Sequence, residues 1–537
     1  MKRTSILLVL MLMAGLGAVQ AQAFQKTIDL GGDDYANMSV PGSNGTHYLV
    51  GSSSATGGGG YDAHLTKVAA DGTILWEKQY GGAGTEFGTA LIATSDGNLL
   101  IVGRSNSGGG SQDMLAVKVD TTGAVLWANT FATDSVEYAF NVAEGPGGYL
   151  VVGETQGSTA YPGRWDVPMI MLDQSGNVLW SKTFGAQFGN EVAYDVFSIG
   201  TDGWVIAGYT GLNNIGLNDG YFALLDQNGN LQGTFEVGGT GDDDIRRALV
   251  SDKAVFMVGN TRGFGVGVQD IFVAKYDVSG GLPTLVWFKT YGGAQSESIT
   301  SAHWIDEKTF VVTALTNSFG SGDEGLYMLV DTNGVVQMSR SLGTTGGDVI
   351  MDLEVSENAA IIGYTNSYNG GSNNDLLIAS IDTMGKTCNT AEAALTVVTQ
   401  TASVLGPVIA DFTTDTFLIT TTALTITPAT NAGTNFTACL DTASNVGITE
   451  LNTIKNLSLM PNPANSTLTF VFDNAVNGEA DYTITNLYGA VVYSSRMDVQ
   501  PGVMTQSVSV DALASGWYML NLQNGALKAS RKFAVVH

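Results

Sequence analysis

One acidic residue recurs along the chain, each time just after a Gly-rich junction. Clustered carboxylates favour hard cations such as calcium, which takes six to eight oxygen ligands. If equivalent positions form a ring, these side chains could surround one mouth of a channel and bind calcium, the one cofactor that the sequence leaves open. The alternative is that each carboxylate binds the turn amides of its own repeat. The seven residues are Asp34, Glu86, Glu137, Glu191, Asp244, Glu297 and Asp348.

Other catalytic chemistry lacks its usual residues. The chain has four histidines, and their spacing does not form a zinc-binding set. A Gly-x-Ser-x-Gly elbow with a plausible His and Asp is also missing from the sequence. The sequence therefore predicts no catalytic residues, no cofactor apart from the open question of calcium, and a protein that is not an enzyme.

The recurring acid marks a unit of about fifty residues. In one copy the apolar runs 85–93, 98–104, 113–119 and 124–131 are short and separated by Gly, Asp, Ser and Asn, as expected for four antiparallel strands. A Val-Gly pair ends the second run in most copies. An Asp opens the third run seven times, as Asp62, Asp113, Asp166, Asp219, Asp270, Asp323 and Asp375.

Seven such units predict a seven-bladed β-propeller at residues 24–388, followed by a small β-sandwich, in an all-β protein. One unit cannot bury its sheet faces alone, so the units must stack around an axis. Phe24–Leu30 looks like the tail of a repeat, and we expect it to supply the outer strand of the last blade. The region resembles the bacterial β-propeller-repeat families.

The composition of the chain limits the classes of molecule that it is expected to bind. The chain has 537 residues and a formal net charge of −27. An excess of negative charge argues against nucleic acid or an anionic membrane as a partner. It is compatible with a solvated extracellular surface and with cation binding.

The N-terminus has the features of a secretory signal at residues 1–23. Lys2 and Arg3 precede the apolar run 6–19, and Ala21-Gln22-Ala23 fits a cleavage site. No later run is long enough to span a bilayer. The sequence thus predicts an exported protein without a transmembrane segment in its mature chain.

The two cysteines are Cys388 and Cys439. In an exported protein an even pair is expected to form a disulfide. On the chain-entropy model, a bridge of this span stabilises the fold by roughly 4 kcal/mol. The alternative is two independent buried thiols. The Thr/Ala-rich stretch 389–446 between the two domains is interpreted as an extended connector.

The pattern of residues 447–537 predicts that they form the small separate β domain. Short apolar runs alternate with turn signals such as Asn477-Gly478 and Asn524-Gly525, a pattern typical of an immunoglobulin-like β-sandwich.

Several blocks in this C-terminal part resemble the type A sorting domain of the Bacteroidetes type IX secretion system. They run from Leu459 to Phe533, with Met460 where that family usually has Tyr. The resemblance implies export by the type IX machinery, cleavage by its surface protease, and release or attachment at the outer-membrane surface. The residues that carry it are Pro461, Asn462, Pro463, Gly489, Gly516, Tyr518 and Lys532.

We expect the propeller to bind or adhere to a glycan or a surface protein through variable connections on one side. These connections are 156–165, 211–218 and 262–269, and Tyr161–Trp165 carries aromatic side chains and an Arg suited to such contacts. One alternative is a secreted hydrolase or lyase that uses a carboxylate-lined channel on polysaccharide. Another is a structural component of a surface assembly.

Overall fold

The computed structural model divides the chain into two compact units, which are described separately. The larger unit spans Ala21–Asp441 and the smaller one includes Thr442–His537. The structure describes residues 24–535 except 56–59, 108–110, 159–162, 213–216, 252, 281, 321, 344–345, 356–358, 368–372, 382–384, 388, 401–402, 406–411, 417–418, 425, 427–433, 441–454, 461–463, 475–476, 487–490, 501, 514–515 and 525–526. The predicted signal sequence lies outside the described residues.

The larger unit is built from antiparallel strands, with short 3₁₀ turns at Ser43–Gly45 and Gly200–Asp202. Its first twenty-eight strands are β1 (Phe24–Asp29), β2 (Asp34–Pro41), β3 (His47–Ser53), β4 (Asp62–Val68), β5 (Ile74–Tyr80), β6 (Glu86–Ala93), β7 (Leu99–Ser105), β8 (Asp113–Val119), β9 (Val125–Ala132), β10 (Glu137–Gly145), β11 (Gly148–Thr155), β12 (Val167–Leu172), β13 (Val178–Ala186), β14 (Glu191–Ser198), β15 (Trp204–Thr210), β16 (Asp219–Leu225), β17 (Leu231–Gly238), β18 (Asp243–Val250), β19 (Ala254–Thr261), β20 (Asp270–Asp277), β21 (Thr284–Gly292), β22 (Glu297–Asp306), β23 (Thr309–Thr316), β24 (Glu324–Asp331), β25 (Val336–Leu342), β26 (Asp348–Val355), β27 (Ala359–Thr365) and β28 (Asp375–Ser380).

These strands pair into sheets in chain order. Sheets 1 to 6 are β2–β5, β6–β9, β10–β13, β14–β17, β18–β21 and β22–β25, and sheet 7 is completed from the N-terminus as β26-β27-β28-β1. As the sequence predicts, β1 pairs antiparallel with β28, with Ile28 opposite Leu376. The first strand of each sheet contacts that of the next, and β26 contacts β2. The result is an all-β, propeller-like arrangement.

Apolar side chains fill the space between neighbouring sheets. Between sheets 3 and 4, for example, Val152, Phe184, Trp204 and Tyr221 pack in one buried cluster. Trp204 has none of its surface exposed. Since full burial of a large apolar side chain stabilises a fold by roughly 1.5–3 kcal/mol, these inter-sheet clusters are what hold the sheets against one another.

The turn between the third and fourth strands uses the Asp-x-x-Gly pattern. In sheet 2, Asp120 Oδ1 accepts hydrogen bonds from the backbone N–H groups of Thr122 (2.8 Å) and Ala124 (3.0 Å). Gly123 closes the turn at a φ of 77°, where a side chain would be strained. The turn sequence thus sets the register of the two outer strands.

The segment that follows sheet 7 pairs with the outer edges of six sheets. Its strands are β29 (Thr390–Glu392), β30 (Thr396–Gln400), β31 (Ser403–Leu405), β32 (Phe412–Thr416), β33 (Thr420–Ala423) and β34 (Thr434–Leu440). In that order they add a fifth strand to sheets 6, 5, 4, 3, 2 and 7, so the chain runs back past the sheets in reverse. Within the described residues sheet 1 has four strands, and Leu424 and Ile426 pack against the core between sheets 1 and 2. Covering the edges blocks pairing with other chains.

These outer strands change the interpretation of residues 389–446. The sequence predicts a connector between domains, whereas strands in 390–440 are integral to the larger unit. Threonine-rich, β-branched sequence suits such strands, but periodicity could not show which edges they would meet.

The predicted disulfide involves one residue outside the described part of the chain, Cys388. Cys439 lies in β34, where its Cα is opposite Gln25 of β1. Asn389 also reaches that position, since its Nδ2 donates to Gln25 Oε1 at 3.0 Å. The disulfide stays a prediction.

The smaller unit consists of two antiparallel sheets. Its strands are β35 (Lys455–Met460), β36 (Thr467–Asn474), β37 (Gly478–Asn486), β38 (Val491–Val499), β39 (Gly502–Ser509), β40 (Gly516–Asn524) and β41 (Leu527–Val535). The sheet orders are β35-β36-β39 and β38-β37-β40-β41. Both sheets contribute to one core, in which Phe470, Phe472, Ile484 and Leu520 are buried.

Candidate functional site

The recurring acids occupy equivalent places in the seven sheets. Each opens the first strand and lies opposite a Ser or Thr that ends the second strand, as Glu137 does opposite Thr155. The structure places Asp34, Glu86, Glu137, Glu191, Glu297 and Asp348 in this position, and Asp243 in sheet 5.

One predicted member of this set is therefore wrong. Asp244 is the second residue of β18, so its side chain points to the opposite face, where it pairs with Arg246 at 2.9 Å. The run Asp242–Asp244 offers three consecutive acids, and a shift of one residue in a strand reverses the face. For the same reason Glu324, and not Asp323, opens the third strand of sheet 6.

Hydrogen bonds hold these carboxylates at the junction that precedes them. Glu137 Oε2 accepts from the backbone N–H of Thr133 (3.0 Å), and Oε1 accepts from the Thr155 hydroxyl (3.0 Å). This is the arrangement expected if each acid binds the turn of its own repeat. In five further sheets a backbone N–H group donates to the acid in the same way, and these donors belong to Leu30, Gly82, Ala186, Gly239 and Gly293.

Substitution of a junction acid tests its structural role. In a Glu137→Ala variant, the Thr133 N–H and the Thr155 hydroxyl lose their acceptor in a buried place, so we expect the free energy of unfolding to fall by roughly 2–4 kcal/mol. Denaturant titration gives this value. The exposed turn residue Asp173 serves as a control, because it binds amides at the surface. An equal loss in Asp173→Ala would contradict a special role for the buried acid.

Beside the junction acids lies a band of aromatic and arginine side chains. The residue after each acid and the residue directly opposite it on the second strand share a face, giving Phe87 opposite Arg104 and Tyr138 opposite Glu154. Each first strand also has a register shift two to four residues after the acid. The extra residues there include Phe140, Tyr194 and Arg246, which the bulge redirects towards the neighbouring sheet.

The side chains of this band form a continuous series of contacts. Ring centroids are 4.9 Å apart for Tyr364 and Tyr35, and 5.3 Å for Tyr61 and Phe87. The Arg104 guanidinium lies over Phe87 (4.3 Å) and Tyr138 (4.8 Å). The aromatic–arginine band, which crosses sheets 7, 1, 2, 3, 4 and 5, comprises Tyr364, Tyr35, Tyr61, Phe87, Arg104, Tyr138, Phe140, Trp165, Tyr194, Tyr209 and Arg246.

Every member of the band is partly exposed. At its far end the Arg246 guanidinium lies 3.8 Å from the Tyr194 ring centroid and bonds both oxygens of Asp244. Glu154 lies within the band, where burial raises the pKa of its carboxyl to about 7 and the charge of Arg104 opposes the rise. The band therefore offers stacking faces together with a few polar groups, as ligand sites commonly do.

The connection singled out from sequence reaches this band. Trp165 stacks on Tyr138 with centroids 6.1 Å apart, and Arg164 donates to the carbonyl of Phe188 at 3.1 Å. Tyr161 lies outside the described residues. The other members were missed, although most directly precede or follow a repeat acid, or lie three residues after one. Their fixed position relative to the repeat acids is the sequence pattern that could have identified them.

A second polar cluster lies further along the first strands. His303 Nε2 is 2.6 Å from Asp352 Oδ1, and Asp352 also accepts from the backbone N–H of Ser39. The Asp352 charge raises the pKa of His303 against the effect of burial, and His303 lowers the pKa of Asp352. In sheets 3 and 4, Asn141 donates to Asp195 at 2.7 Å.

The His303–Asp352 pair predicts a dependence of stability on pH. A raised His pKa stabilises the fold below the unfolded pKa of about 6.5, and this contribution is lost as pH rises through the folded value. We expect the free energy of unfolding of the wild type to exceed that of His303→Asn by roughly 1–3 kcal/mol at pH 5.5. At pH 9 the difference should be much smaller. Urea unfolding at both pH values measures this. A difference that does not change with pH would contradict the charged pair.

Comparison with known proteins bears on the C-terminal unit first. Residues 458–536 match the family described as "Secretion system C-terminal sorting domain". This part of the chain is a type IX sorting domain. It indicates secretion through that system and attachment to the cell surface, and it implies interaction with the type IX machinery.

The motif residues are only partly described. Tyr518 lies in β40 with 8% of its surface exposed, and Lys532 lies in β41 with its Cα opposite Met519. Gly516 begins β40. Pro461, Asn462, Pro463 and Gly489 fall outside the described residues.

Two further comparisons concern the chain as a whole. No curated protein sequence matches the chain. Among solved structures, the acylaminoacyl peptidase of Pyrococcus horikoshii in its orthorhombic crystal form is similar, with 9% identity and a TM-score of 0.37. The match covers 82% of this chain and 58% of the peptidase, so the chain spans less than two thirds of that protein. Within the described residues, no helix is long and apolar enough to cross a membrane.

One prediction is corrected by this comparison. The sequence predicts a protein that is not an enzyme, whereas the similar structure is an enzyme. That expectation is withdrawn. The likeness is too weak to carry a catalytic role into this chain.

Proposed function

We propose that the larger unit is a seven-bladed β-propeller that the sorting domain, an immunoglobulin-like sandwich, delivers to the cell surface. The seven repeats, the seven sheets and the completion of sheet 7 by β1 support this architecture. The outer strands of 390–440 would belong to the blades, and the signal sequence would start the export.

We further propose that the propeller binds carbohydrate along the aromatic–arginine band. The observation that carries this proposal is the continuous series of partly exposed side chains from Tyr364 to Arg246. Most of them are aromatic rings, and the two arginines stack on these rings. Sugar rings present C–H faces that pack on aromatic faces, and their hydroxyls bond to charged and polar groups. Arg104, Glu154 and Asp244 supply those groups.

The charge of the protein favours a neutral ligand over a polyanion. A net charge of −27 repels an anionic chain at a distance, and both arginines are already engaged with rings or with Asp244. A neutral glycan of a cell surface or matrix would meet the band without that repulsion. Adhesion of the cell to such a surface would follow from attachment through the sorting domain.

The central rings provide the test. We expect Trp165→Ala and Tyr138→Ala to weaken binding of the full chain on a glycan array by about tenfold or more, because aromatic residues at the centre of a contact often supply over 1.4 kcal/mol. The control is Trp127→Ala, since Trp127 lies on the outer strand β9 and donates to the carbonyl of Gln174 away from the band. Glycan binding that all three variants retain would contradict the band as the site.

If the folded protein bound no glycan but formed a stable complex with one other protein, a structural role in a surface assembly would replace this proposal.

One observation favours a second candidate, a polysaccharide hydrolase or lyase. Glu154 has the raised pKa of a general acid and lies opposite Tyr138 in the band. We expect any cleavage of polysaccharide by the full chain to fall at least about a hundredfold in Glu154→Gln, since general acid catalysis contributes about that factor or more. Reducing-end assays measure it, and the control is Glu144→Gln, which changes a partly exposed carboxylate further along β10. Activity that persists in Glu154→Gln would contradict this assignment.

A further inference from the structure

The acids at the start of the third strand of each sheet form a second repeated set, and the surroundings of this acid differ in sheet 7. Each lies next to the first-strand acid of the following sheet, as Asp62 does beside Glu86, whose charge adds to the effect of burial in raising the pKa of Asp62 to about 6. In six sheets the pairing of the third and fourth strands, continued by one residue, places a small residue of the fourth-strand side directly opposite this acid. These small residues are Gly81, Ala132, Gly185, Gly238, Gly292 and Gly343.

At the junctions that have a glycine, the opposing carboxylate fills the space that a Cβ would occupy. A Cβ built on Gly81 or Gly292 would collide with the carboxylate of Asp62 or Asp270. In the seventh sheet, the residue opposite Asp375 is Asp29, one position beyond the pair Ile28 and Leu376. The junction where the chain closes thus has three carboxylates where the other six have two.

The three closing carboxylates converge. One oxygen from each of Asp29, Asp34 and Asp375 lies within 4.8 Å of the others, the only such group of three potential ligands among the residues that the structure describes. Two oxygens bound to one calcium ion can be up to about 4.6–5.2 Å apart, against about 4.2 Å for magnesium. The spacing is therefore compatible with a shared calcium ion.

A buried oxygen within this group lacks a partner. Asp34 is fully buried, and its Oδ2 accepts from the Leu30 N–H at 2.7 Å, whereas its Oδ1 has no hydrogen-bond partner. The Ser53 hydroxyl is near enough to lower the pKa of Asp34 without bonding to Oδ1. Like charges directly opposite each other across strands are destabilising. A bound cation would satisfy the oxygen and remove the repulsion together.

We propose that Asp29, Asp34 and Asp375 bind one divalent cation of the calcium type, which fastens the closure of the larger unit. The ligands come from β1, β2 and β28, so one ion would join the N-terminal strand, sheet 1 and sheet 7. Asp29 is only partly buried, which gives the ion a route from solvent. Sites of extracellular proteins bind calcium at about 0.1–1 mM, so the ion would be acquired after export. The proposal is independent of carbohydrate binding.

The test titrates calcium chloride into the chelator-treated full chain by calorimetry. We expect one ion per chain, at least about tenfold weaker binding in Asp29→Asn, and a thermal midpoint that rises with calcium by mass action only when the site is intact. The matched control is Asp62→Asn, which removes a carboxylate from a two-carboxylate junction and should leave calcium binding unchanged.

Two outcomes would overturn the proposal. Wild type that binds no calcium would mean that the carboxylates share a proton instead, in keeping with the pKa of Asp34 near 7, which burial and the charges of Asp29 and Asp375 raise. Asp29→Asn that binds calcium as wild type does would place the ion elsewhere. Circular dichroism checks folding. If Asp29→Asn fails to fold, Asp29→Gly, the residue type of five other junctions, takes its place.

Discussion

The larger unit depends on one interaction that the described residues make at six of the seven junctions between sheets: a buried carboxylate bound to a backbone amide. The acid that opens the first strand accepts from the turn before it, as Glu86 does from Gly82. In five sheets it also accepts from the hydroxyl that ends the second strand, as Glu86 does from Ser105. A buried charge is tolerated only when it is hydrogen-bonded. The interaction therefore fixes where one sheet ends and where the next begins.

That constraint also shapes the surface beside it. Because the acid points into the junction, the residue after it points to the other face, and so does its neighbour across the strand pair. Tyr35, Phe87 and Tyr138 occupy this position in sheets 1, 2 and 3. The same regularity that anchors each sheet thus lines up rings from consecutive sheets into a band, and the repeat creates a surface that no single unit has.

Closure is where the regularity is broken. Six junctions join sheets that are consecutive in the chain. The seventh joins sheet 7, whose fourth strand is β1, to sheet 1, and it carries Asp29 where the others have Gly or Ala. β34 then covers β1, with Phe436 opposite Thr27. Concentrating pairing and charge at this place is physically reasonable, because loss of the terminal strand would expose the edge of β28.

The sequence by itself determined the repeat, the tail-like N-terminal strand and the sorting domain, because each depends on local patterns: alternating apolar runs, turns such as Asp120–Gly123, and motif blocks. It could not choose between Asp243 and Asp244, since a shift of one residue changes the face. Only the tertiary structure decided the outer strands of 390–440, the band and the three-carboxylate group. Each of these joins residues that are far apart in sequence, and the strand edges and faces that unite them exist only once the sheets have packed.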